Sequence, residues 1–172
     1  MQHIYTFTVP VFTKMLGGLK GVLTKAAAHA KEAGIDETVF LQDRLAPDMF
    51  PLVRQVQIAT DNAKGAASRL TGTEAPKFED VESTFTELQV RIDKTLAYLA
   101  TVQESQFAGA EDRKIELPYF PGKYMTGMEY AVEHALPNFL FHITTAYALV
   151  RKNGTPVGKA DFIGGLPLKD LA

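Results

Sequence analysis

Residues 78–102, FEDVESTFTELQVRIDKTLAYLATV, set Phe78, Val81, Phe85, Leu88, Ile92, Thr95, Leu99 and Val102 at alternating steps of three and four. That spacing keeps one face of an α-helix apolar through more than about six turns, and it has no counterpart in the two-residue period of a strand. A long amphipathic helix cannot bury its stripe alone, so it asks for partners of the same kind.

Such partners stand on both sides. Upstream, Pro47-Asp48 opens a second pattern through Phe50, Val53, Val56, Thr60, Ala63, Ala67 and Leu70, closed by Gly72. Earlier still, Phe12, Leu16, Leu19, Leu23, Ala26 and Ala30 run between Pro10 and Ala33, with Gly34 as the stop. Gly17, Gly18 and Gly21 interrupt this helix at up to about 1 kcal/mol each, a cost that close approach of a neighbouring helix would offset. Asp36 to Arg44 reads as a short helical connector. Downstream, the pattern dissolves from Glu104 to Thr126, where Pro118 and Pro121 forbid a helix and Ile115-Glu116-Leu117 reads as extended. Met128 to Ala135 is a short helix, and Pro137 starts a last long one that stops at Asn153-Gly154. The expected fold is all-α: a four-helix bundle in a single domain, residues 1–172, with a long connection before the last helix and an irregular C-terminal tail.

The composition suits such a core. The 172 residues are 46% hydrophobic and 22% charged, with 18 Lys+Arg against 20 Asp+Glu, which gives no electrostatic footprint for nucleic acid. Cysteine is absent, so disulfides, thiolate nucleophiles and Cys-ligated metals are excluded. Apolar stretches are broken by residues such as Lys14 and Lys20 before they reach membrane-spanning length, and the first residues lack a basic leader; the expected location is cytoplasmic, without membrane contact.

Motifs of familiar chemistry are missing. Gly154-Thr-Pro-Val-Gly158-Lys159-Ala160 is one residue short of a phosphate-binding loop, ends in Ala160 and follows a helix instead of a strand. No G-x-S-x-G, H-E-x-x-H or Glu-x-x-His spacing occurs. Among His3, His29, His134 and His142, the last sits mid-helix between Phe139 and Tyr147, where a buried ring needs a partner. Asn138 lies one turn before it. Were the last helix to face the second, Asp61, Gln57 or Gln55 would approach His142 across the core. The plainer alternative is that His142 only satisfies itself against a core acceptor. Arg44, Asp48, Tyr119 and Tyr124 are a further candidate cleft, with Asp48 otherwise a helix cap.

Taken together, Arg44-Leu-Ala-Pro-Asp48-Met49, the run QVQIATDNAK from Gln55 to Lys64, Leu136-Pro-Asn-Phe-Leu-Phe-His142-Ile-Thr-Thr-Ala-Tyr147 and Gly158-Lys159-Ala-Asp161-Phe162 resemble a domain-of-unknown-function family of bacteria and fungi within the DinB/YfiT-like metalloenzyme superfamily. The resemblance covers nearly the whole chain. It implies a four-helix bundle, frequently a homodimer, with the metal of related enzymes held by one His on the second helix and an H-x-x-x-H pair on the last. Carried over by position, His142 is the second His of that pair and Asn138 stands at the first. The helix-two histidine has no histidine here, with Asp61 or Gln57 nearest in place. Exchanging imidazoles for amide and carboxylate weakens or changes the metal preferred. The expectation is a degenerate metal site, a polar pocket of Gln57, Asp61, Asn138 and His142 taking a small-molecule ligand or a weak divalent metal (zinc, nickel or manganese) on Asp61 and His142. The alternatives are a metal-dependent hydrolase or transferase and a non-catalytic dimeric interaction domain.

Overall fold

The computed structural model describes residues 3–171. A short helix α1 (His3–Phe7) leads into α2 (Val9–Ala33), followed by α3 (Glu37–Gln42), α4 (Leu52–Thr71) and α5 (Phe85–Thr101). After a single 3-10 turn (Glu104–Phe107), two short strands, β1 (Lys114–Glu116) and β2 (Tyr124–Thr126), pair antiparallel with Ile115 opposite Met125. The chain then passes through α6 (Gly127–Glu129) and a π-helical turn (Tyr130–Ala135) directly into α7 (Leu136–Lys152), and ends with α8 (Lys159–Ile163). The bundle is α2, α5, α4 and α7 in that cyclic order, with α4 packed most extensively on α7. Phe12, Leu16, Leu23, Val56, Ala63, Leu88, Ile92, Phe139 and Ile143 fill its centre.

Three boundaries differ from the sequence reading, each for a local reason. The third long helix starts at Phe85, seven residues late, because Thr84 and Glu87 form a reciprocal capping box in which the Thr84 hydroxyl accepts from the Glu87 amide. Residues 73–84 are a strap outside the helix, and Val81 is 70% exposed even though it continues the apolar period. The second long helix starts at Leu52 with Pro51 at its N-cap and no side-chain cap, so Asp48 does not cap it. The short helix before Pro137 is no separate element: the π turn fuses α6 to α7. Pro137 carries no N–H, so an α-helix through it would leave the carbonyl four residues earlier without its donor; the wider π turn takes up that defect.

Glycine works by close approach at two places. A Cβ at Gly18 would lie 3.0 Å from the Phe162 carbonyl oxygen, so α8 rests on α2 there, helped by the Lys25–Asp161 ion pair and the edge-on Tyr147–Phe162 contact at 5.6 Å. The irregular tail thus folds back on the bundle. At Gly127 a Cβ would lie 1.8 Å from the Ala110 carbonyl oxygen, which fixes the early part of the long connection against the start of α6. Gly17 and Gly21 face open space, and α2 is unbroken at both.

Candidate functional site

Helix α4 sorts its polar residues onto different faces. Gln55 and Gln57 are about 200° apart around the helix axis, so one can face α7 while the other faces α5. Gln55 faces α7: its Nε2 donates to the Phe50 carbonyl at 2.9 Å, which leaves Oε1 to accept from His142 Nδ1 at 2.6 Å. His142 therefore carries its proton on Nδ1. Burial, and secondarily the positive Arg54, push its pKa down to about 4, so the ring is neutral at neutral pH.

Gln57 and Asp61 belong to another network. Gln57 Nε2 donates to Glu82 at 2.8 Å and Gln57 Oε1 accepts from Arg54. Asp61 Oδ1 accepts from Arg91 Nη2 at 2.8 Å and lies 2.9 Å from Lys64 Nζ. The Arg91 side chain is 1% exposed; it also donates to Thr60, to the Glu79 carbonyl and to Glu82, and pairs with Asp80. Arg54 joins Asp80 from the outside. These groups pin the strap to α4 and α5.

The four expected residues are consequently divided. Asp61 and Asn138 meet in one groove of about 230 Å³, while His142 is committed to Gln55 and Gln57 to Glu82. Into this groove α4 brings Arg54, Asp61, Asn62 and Arg69, the π turn brings Tyr130 and His134, and the long connection brings Tyr119. His134 Nε2 lies 3.0 Å from the Tyr119 hydroxyl, and its ring stacks on Tyr130 at 5.5 Å. Burial lowers the His134 pKa, and Arg69 lowers it further. Burial likewise raises the Tyr130 hydroxyl, against the opposing pull of Arg69. His134 Nδ1 and Asn62 Oδ1 are both buried and have no hydrogen-bond partner among the described residues. Arg44 reaches back to the Met49 carbonyl and the Tyr124 ring lies against Lys114, so Tyr119 alone of that second group reaches the groove.

His134, Asn62, Arg69 and Tyr130 were not singled out by the sequence. One signal was available: His134, Asn138 and His142 follow one another at four-residue steps, a polar line along one side of a helix.

A divalent metal fits these residues poorly. Asp61 already lies between two cations, whose charge opposes that of an incoming ion. Among the described residues no group of three His, Asp or Glu side chains is placed to hold a metal ion.

The helical architecture, with its small hairpin set between the bundle helices, is that of a DinB-like bundle. The chain belongs to the family described as Domain of unknown function (DUF1993), whose model matches residues 4–163. It is similar to a DinB family member protein from Shewanella denitrificans, known from its crystal structure: the two are 48% identical, with a TM-score of 0.95 over 98% of this chain and 96% of that one. No curated protein matches the chain.

Proposed function

We propose that this DinB-like protein binds a small polar molecule in the groove between α4 and the first turns of α7. The observation that carries the reading is the convergence of Asp61 and Asn138 with two buried polar atoms, Asn62 Oδ1 and His134 Nδ1, that lack partners. Buried polar groups in native proteins are nearly always satisfied, so an unmet pair beside an open groove favours a ligand that meets them once bound. In this reading the protein works in the cytoplasm as a homodimer, after the habit of the family it resembles; among the described residues no helix is long and apolar enough to cross a membrane.

A thermal-shift screen of small polar metabolites, run on the wild type and on Asn138→Ala and His134→Phe, tests the proposal. Ligands that raise the wild-type melting temperature and lose this effect in both variants are expected. Ligands acting equally on all three proteins would place binding elsewhere. Elemental analysis of untagged protein addresses the rival: wild type, Asp61→Ala and His142→Ala are all expected without stoichiometric metal. Zinc, nickel or manganese at one per chain, lost in both variants, would restore the metal-dependent hydrolase or transferase reading. Light scattering gives the assembly state.

A further inference from the structure

Arg69 is a cation in the groove without a carboxylate partner among the described residues. Its recorded hydrogen bond is a long one, from Nη1 to the Tyr130 hydroxyl at 3.5 Å. The two other cations of α4 are engaged: Arg54 by Asp80 and Gln57, Lys64 by Asp61. The Arg69 side chain lies back along its own helix, in the notch left by Gly65. A Cβ at Gly65 would come 2.7 Å from Arg69 Nη1, so a side chain there would make the guanidinium shift from this position.

Beside Arg69 the wall is made of rings. His134 stacks between Tyr130 at 5.5 Å and Tyr119 at 6.1 Å, and the amides of Asn62 and Asn138 stand on the two helices that form the sides. A guanidinium fork with free donors recognises a planar carboxylate in preference to a point charge.

We infer that the groove is a carboxylate site: a small carboxylic acid with a flat body, its carboxylate on Arg69 and its body along the Tyr119–His134–Tyr130 wall. This rests on the ligand-binding reading above and specifies its substrate class.

Benzoate and the isosteric neutral benzamide are suitable probes, followed by calorimetry and by 1H–15N spectra. Benzoate is expected to bind saturably and to shift the resonances of Asn62, Arg69 and Asn138, while benzamide does neither. Arg69→Gln should weaken benzoate by about tenfold or more, as expected for loss of a charge-assisted pair. Gly65→Ala tests the notch separately, because alanine favours the helix yet displaces Arg69: the variant should melt no lower than wild type and still bind benzoate several-fold more weakly. Equal binding of benzoate and benzamide, or unchanged affinity in Arg69→Gln, would overturn the carboxylate assignment. Should neutral ligands from the screen bind the groove while carboxylates do not, only this inference fails; should neither kind bind, the ligand-binding reading fails with it.

Discussion

His142 shows what burial does to a single side chain. Its pKa of about 4 lies below the 6.5 of a free imidazole, so between these values the unfolded chain binds a proton that the folded one does not. The stability this withholds is fully present above pH 6.5 and is lost progressively as the pH falls towards 4, by up to roughly 3 kcal/mol. Urea unfolding at pH 7 and at pH 4.5 should show that loss, and His142→Leu should show a shallower pH dependence, the remainder coming from His134, whose pKa burial and Arg69 also lower. An identical slope in the variant would remove His142 as its source. The sequence identified His142 as a ring in need of a partner and named Gln55 among three candidates. It placed Gln57 and Asp61 beside the same ring because residue types were weighed without their phase on the helix. Two positions apart on α4 means opposite faces, and nothing in the apolar period marks Arg91 as the residue that claims Gln57's neighbours.

At the level of elements, the long connection is where pattern and structure part. Periodicity recognises what repeats, and Ala110, Gly127 and the π turn do not repeat. Their arrangement depends on the Gly127 backbone lying against the Ala110 carbonyl, which leaves no room for a side chain. Gly127→Ala is therefore expected to push the connection off α6 and to cost at least about 2 kcal/mol, read as a lower melting temperature together with loss of the Tyr119–His134 contact in spectra. A variant as stable as wild type would show that the connection yields easily. The start of α5 teaches the converse. Thr84-Phe-Thr-Glu87 is a capping signature readable from the chain alone, yet the apolar period running through it concealed the boundary.

For the molecule as a whole, the four-helix plan was legible because each long helix has to bury a stripe, and that requirement is written residue by residue. The groove was not, since it is built from α4, the π turn and a loop whose proximity exists only after folding. Arg91 makes the same point about stability: one buried guanidinium joins α4, α5 and the strap through Thr60, Asp61, Asp80 and Glu82. Arg91→Ala leaves those carboxylates facing one another and should cost about 3 kcal/mol in chemical denaturation, with Arg91→Met recovering part of it through packing. A loss within experimental error in Arg91→Ala would mean that the strap is held by other contacts.

The fusion of α6, the π turn and α7 gives the molecule a single rod roughly 40 Å long by the helical rise. One end carries Tyr130 and His134 in the groove; the other carries Lys152, clamped to Asp43 at 2.9 Å, beside Asn153, which holds the same carboxylate. Mechanically it is a shaft with a bearing at each end. A molecule that turned His134 would act on that shaft, whose motion is resisted along its length by the packing of α7 on α4 and α2 and, at the far end, by the Asp43 clamp.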